Sequence, residues 1–214
     1  MQSLANDGVE VYYDDWNDWN DWDDLEGWDP DVVDWEAVME VFPEESGFIV
    51  EPGNREVVID LSQTDSVDEF VLTPEQTQML IENNQQITLQ KDDVEVTIPG
   101  SAFDHNAEPV TISMLEFAPV PNSLSATYDF TIKQGTRTIS SFEEGVTLTF
   151  NVNAERAKNP KNLKVFYYNE ETGEWENVGG TYHNGTVTTV VAHFSIFTVF
   201  EVGEDGDTIV EIDK

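Results

Sequence analysis

From about Gly47 onward, apolar and polar side chains alternate with a period of two in one short run after another. Val57-Val58-Ile59-Asp60-Leu61 and Phe70-Val71-Leu72 open the series, and Val94, Val96 and Ile98 alternate with acidic residues and Thr97 until Pro99-Gly100 closes that run. Val110 to Met114, Tyr128 to Ile132 and Val146 to Val152 repeat the pattern. On a β-strand successive side chains point to opposite faces, so each run sorts itself into a buried row and a wet row. In Val146 to Val152 the Val/Leu/Phe/Val row is predicted to be core and the Thr/Asn row solvated.

The connections carry their own chemistry. Thr73-Pro74-Glu75-Gln76 supplies an N-cap, a proline at the first helical position and a glutamine at the third, which predicts one short helix from Pro74 to Glu82, stopped by Asn83-Asn84. Leu163 to Tyr168 and Trp175 to Val178 read as a hairpin closed over Asn169 to Gly173, and Asn184-Gly185 is the signature of a two-residue type I′ turn. Thr186 to Val202 is apolar on both faces and predicts a strand that bends near His193 and lies in mid-sheet. Many short strands, frequent turns and one helix predict a mainly β chain folded as an antiparallel β-sandwich.

Ahead of the sandwich the pattern disappears. Asp14 to Trp35 reads DDWNDWNDWDDLEGWDPDVVDW, with Trp16, Trp19 and Trp22 at intervals of three and Trp28 and Trp35 beyond. Asp and Asn are poor helix interiors, like charges repel, and Gly27 and Pro30 interrupt the remainder, so a disordered acidic arm is expected. A period of three drifts around a helix and makes no membrane-facing stripe. The expected organisation is therefore an arm at 1–46, a sandwich at 47–202 and an acidic C-terminal tail at 203–214. The indoles have two readings: anchors for a partner, or cover for part of the domain.

Charge narrows the partners. With 44 Asp and Glu against 9 Lys and Arg, the formal net charge of this 214-residue chain is -35. Such a field repels phosphate backbones and anionic headgroups and attracts cations and basic surfaces. Nucleic acid and direct membrane insertion are not expected. There is no cysteine, so disulfides and thiolate chemistry are excluded. No apolar stretch reaches the ~18 residues of a spanning helix, and Met1 to Ala5 lacks the regions of a signal peptide, so export would imply a mature form or a fragment.

Catalytic motifs are absent from the sequence: no Gly-rich phosphate loop, HExxH or G-x-S-x-G. His105, His183 and His193 lie on unlike elements, and a three-histidine metal site remains an open alternative to three ordinary polar residues. The aspartates of the arm miss the alternation of an EF-hand loop, which leaves loose Ca²⁺ binding as the metal reading and no cofactor as the expectation. Asn184-Gly185-Thr186 matches a glycosylation acceptor, yet its turn explains the dipeptide without a sugar. One tripeptide has a sharp mechanism. In His193-Phe194-Ser195 a strained bend could bring the Ser195 hydroxyl onto the Phe194 carbonyl carbon, with His193 as general base. The structural alternative is a core Phe194 flanked by hydrogen-bonding His193 and Ser195.

The stretches VLTPEQTQMLIENN, ITLQKDDVEVTIPGSAF and NLKVFYYNEETGEWENVGGTYHNGTVTTVVAHFSIFTVFE resemble a module of surface and S-layer-associated proteins of Gram-positive bacteria. The resemblance runs from Val71 to Glu201 and leaves out the arm. It implies an extracellular, cell-surface location and a structural or adhesive role within a larger polypeptide. A more distant resemblance is to ZU5/UPA-type sandwiches, some of which cut themselves within a His-Phe-Ser motif; carried over, His193 is the base, Phe194 the acyl donor and Ser195 the nucleophile. Three functions follow as expectations. The first is a non-enzymatic module binding a cell-wall polymer, a neighbouring surface protein or a basic protein surface. The others are a self-processing domain and a calcium-responsive assembly domain.

Overall fold

The computed structural model describes residues 48–50, 56–62, 68–206 and 208–211, all within the compact unit Val33–Lys214. The arm and its Trp16, Trp19, Trp22, Trp28 and Trp35 lie outside the described residues. Fourteen strands are described: β1 (Phe48–Val50), β2 (Glu56–Asp60), β3 (Glu69–Leu72), β4 (Gln86–Gln90), β5 (Val94–Pro99), β6 (Val110–Phe117), β7 (Thr127–Gln134), β8 (Arg137–Ile139), β9 (Val146–Asn151), β10 (Leu163–Asn169), β11 (Glu174–Gly179), β12 (Thr181–His183), β13 (Thr186–Val191) and β14 (Ile196–Glu201). One sheet runs β1-β2-β4-β5-β9-β13-β12, and the other runs β11-β10-β14-β7-β6-β3 with β8 added to β7. The pairs are antiparallel except β2 with β4, which are parallel because β3 and the helix α1 (Pro74–Glu82) carry the chain over between them.

The alternation read in the sequence is the burial observed. Val146, Leu148 and Phe150 of β9 are buried while Thr147, Thr149 and Asn151 are not. The two inner rows interlock into one core, where the Phe130 ring of β7 stands edge-on to Phe150 of β9 at 6.4 Å between centroids. The helix begins as its caps dictate: Thr73 Oγ1 accepts from the Gln76 amide, and Gln76 Oε1 accepts from the Thr73 amide. At the hairpin between β12 and β13, Asn184 and Gly185 have φ of 47° and 93°, the two positive values a type I′ turn requires.

One element differs from expectation. Thr186 to Val202 is not a single strand in the middle of one sheet: β13 belongs to the first sheet, β14 to the second, and residues 192–195 cross between them. The halves are also buried differently. β13 shows one clean alternation, with Val190 61% exposed on its outer side, whereas β14 is covered on both faces. Phe197 and Val199 face the main core, while Phe200 joins Phe166 and Val202 in a second cluster on the outer side, capped by Trp175, Val120 and Ile209. The described residues after Val202 fold back to make this cap: Val202 bridges Ile209, and the Val210 amide donates to the Glu201 carbonyl.

Glu201 is a buried carboxylate with a structural task. At 2% exposure it accepts from the Lys158 amide at 2.8 Å and the Asn159 amide at 2.7 Å, holding the β9–β10 connection. Glu201→Gln replaces one acceptor oxygen by a donor group facing a backbone N–H. The expected cost is about 1–2 kcal/mol of unfolding free energy, read as a lower urea midpoint at unchanged slope.

Candidate functional site

The crossing at residues 192–195 carries His193, Phe194 and Ser195, so the three fall on an irregular corner between two strands. Two backbone bonds pin the corner: the Phe142 amide donates to the Ala192 carbonyl at 2.8 Å and the Phe130 amide to the Ser195 carbonyl at 3.1 Å. Phe194 turns inward and packs on Phe142 and Phe130, with centroids at 4.9 and 5.5 Å. Ser195 Oγ donates to the Tyr168 carbonyl at 3.0 Å. His193 packs against Tyr167 at 4.7 Å and Phe197 at 6.2 Å, and its Nδ1 lies 3.5 Å from the Phe194 carbonyl oxygen. Neither His193, Phe194 nor Ser195 has a positive φ.

Beside His193 stands a polar group that sequence reasoning missed. The Tyr167 hydroxyl donates to Glu176 Oε2 at 2.6 Å, and the Asn169 side-chain amide donates to Glu176 Oε1 at 2.6 Å. These bonds hold the Glu176 carboxyl below its ordinary range, and the same carboxylate raises the Tyr167 phenol. The pairing of β10 with β11 places Tyr167 opposite Glu176. The hairpin was legible in the sequence, but the register that creates the pair was not, because Asn169, expected in the loop, pairs with Glu174 and shortens the turn by one residue.

On the other side of the corner, Asp129, Thr131, Thr138, Ser140, Glu170 and Ser195 line a cavity of about 210 Å³ together with the half-buried Phe194 and Ile196. Burial, then the charge of Glu170, pushes the Asp129 carboxyl above its usual range. The folded state therefore binds this proton more tightly than the unfolded chain does, and stability falls as pH rises from the ordinary aspartate value to the raised one. Asp129→Asn removes that loss. It is expected to raise the urea midpoint at pH 7 and to leave it nearly unchanged near pH 3, where Asp129 is protonated in the folded and the unfolded chain alike.

The histidines stay apart: His105 lies in the β5–β6 connection, His183 ends β12, and His193 is at the corner. Among the described residues no group of three or more His, Cys, Asp or Glu side chains is placed to hold a metal ion. Among them, too, no helix is long and apolar enough to cross a membrane.

The comparisons fit this β-sandwich. A stretch of 144 residues, 64% of the chain, is 36% identical to a protein of Evansella cellulosilytica called a putative membrane protein. A stretch of 128 residues, 56% of the chain, is 30% identical to an amylopullulanase of Thermoanaerobacterium thermosulfurigenes. The matched stretches are 22% and 7% of those proteins, so this chain spans only a small part of their length. Residues 78–201, more than half of the chain and including the corner, match the Zu5-like domain, and the chain belongs to that family.

Proposed function

We propose that this chain is a non-enzymatic structural or adhesive module of a bacterial cell-surface protein, acting outside the cell as one unit of a larger polypeptide. Its partner class is a cell-wall polymer, a neighbouring surface protein or a basic protein surface. The observation that carries the reading is recurrence. Stretches at 36% and 30% identity occupy a minor share of two long proteins, one called a membrane protein and the other an amylopullulanase, as expected of a portable unit. The corner supports it as well. Ser195 is engaged by the Tyr168 carbonyl and Phe194 is packed between two rings, so the tripeptide already serves the fold. Trypsin applied to intact cells producing the full-length parent protein tests location. Peptides from 47–202 in the supernatant of unlysed cells are expected; release only after lysis would place the module inside.

A second reading, self-processing, draws on the imidazole beside the Phe194 carbonyl. Ser195 Oγ would attack that carbonyl carbon, His193 would take the hydroxyl proton and pass it to the Ser195 nitrogen as the peptide C–N bond breaks, and water would hydrolyse the ester to a Phe194 carboxylate and the free Ser195 hydroxyl. To do so the hydroxyl must leave the Tyr168 carbonyl. Under the module reading, Ser195→Ala costs about 1 kcal/mol for the lost hydrogen bond and changes nothing else, as unfolding and mass together report. The calcium-responsive reading predicts a rise in melting temperature on adding Ca²⁺, and an unchanged value ends it.

A further inference from the structure

We infer that the cavity beside the Phe194–Ser195 corner is a socket for an arginine side chain presented by a protein partner. The inference rests on the module reading and names its contact. The cavity, about 210 Å³, is smaller than the ~300–1,000 Å³ of small-molecule sites and suits one extended side chain. Its apolar lining comes from the half-buried Phe194 and Ile196, because Phe130 and Ile139 turn into the core, and the rest of it is polar. That division matches a guanidinium side chain, whose methylene stem seeks apolar cover while its planar head seeks carboxylates and stacks on aromatic faces.

The charges point the same way. Asp129 comes from β7 and Glu170 from the β10–β11 turn, so strands far apart in sequence bring two carboxylates to one cavity. No Lys or Arg lines it, and among the described residues neither carboxylate forms an ion pair. Two cations elsewhere are already paired, Lys91 with Asp68 and Arg137 with Asp104. Burial and Glu170 together raise the Asp129 carboxyl, a cost of leaving the two charges uncompensated that an incoming cation removes. A guanidinium brings five donors to a cavity that offers two carboxylates, and the hydroxyls of Thr131, Thr138 and Ser140 supply further acceptors. Lysine offers a compact ammonium with no planar face for the Phe194 ring.

The test is a titration of the full ¹⁵N-labelled chain with N-acetyl-arginine amide and, separately, N-acetyl-lysine amide, followed by amide shifts. Shifts are expected to concentrate at 129–131, 138–140, 170 and 194–196, with arginine binding several-fold more tightly than lysine. Asp129→Asn and, independently, Glu170→Gln should each weaken arginine binding at least fivefold; Glu170 is on an exposed turn, so that variant tests the idea even if Asp129→Asn perturbs the strand. Equal shifts at Asp92, Asp93 and Glu116, equal binding of the two amides, or affinity unchanged in both variants would overturn the proposal. The module reading is judged separately in the reference spectrum. A persistent Ser195 amide signal means an uncut chain, whereas its loss would signal cleavage whatever arginine does.

Discussion

Replacing Phe130 by Ala is expected to cost about 3–5 kcal/mol and to lower the melting temperature by roughly 6–20 °C. The ring is 2% exposed and touches Tyr128, Phe150, Phe194 and Phe197, with centroid separations of 6.0, 6.4, 5.5 and 6.1 Å. It therefore joins the second sheet to the first and both to the crossing corner. Truncation removes its transfer free energy and leaves a cavity that rigid strands on two sides cannot close. Phe117→Ala is the comparison, because that ring is 42% exposed on β6 and should cost well under 1 kcal/mol. Chemical denaturation of both variants checks the contrast, and equal losses would mean that Phe130 is not the joint between sheets.

Gly100→Ala is expected to cost about 2–3 kcal/mol, a large effect for one methyl group. A Cβ at Gly100 would stand 2.5 Å from the Leu80 carbonyl oxygen, 2.7 Å from its carbon and 2.9 Å from the Gln85 carbonyl oxygen. These are backbone atoms of the end of α1 and the start of the path into β4, so no side chain can rotate away. The same displacement would stretch the 2.8 Å bond from the Gly100 amide to the Gln85 carbonyl. Its neighbour Ser101 is exposed and hydrogen-bonds through its side chain to Glu144, so Ser101→Ala should stay within about 0.5 kcal/mol. A thermal melt of each variant distinguishes a close backbone approach from general sensitivity of this connection.

What the sequence made legible was whatever depends on neighbours along the chain. The alternation in β5, β7 and β9, the capping box of α1 and the Asn184-Gly185 turn are local decisions, and each is found as read. β4 escaped because Ile87, Thr88 and Leu89 are all buried, so a strand covered on both sides shows no alternation over its few residues. The break at 192–195 escaped for a related reason. A continuous apolar run does not say whether it is covered in one sheet or handed from one sheet to the other. At the site, the tripeptide was visible as letters, but Tyr168 and Glu176 near it, and Asp129 with Glu170, are brought in by pairing registers. Asp129 in particular looked like any wet-face acid of its strand, and only the turn at Glu170 makes it part of a cavity.

The charge of the chain acquires a more specific meaning in this frame. A net -35 would be a bland solubilising field if every carboxylate faced water. Several do not. Glu201 is spent on two backbone amides, Glu176 on a phenol and an amide, and Asp129 is held in a partly buried cavity. Burial, followed by Glu116, Asp93, Asp92 and Asp68, likewise drives the Tyr128 phenol far up, so the surroundings of Tyr128 oppose any further negative charge. A basic partner surface is the electrostatic complement of such a molecule, which is why the cavity at the corner is read as a socket for a cation.

In the proposed module the Phe194–Ser195 peptide is a packed structural corner and not a bond awaiting acyl transfer. The most direct measurement is the intact mass of the purified chain after prolonged incubation at neutral pH. A single uncut species, unchanged in Ser195→Ala, is the predicted result. A fragment ending at Phe194, together with one beginning at Ser195 and both absent from Ser195→Ala, would contradict it.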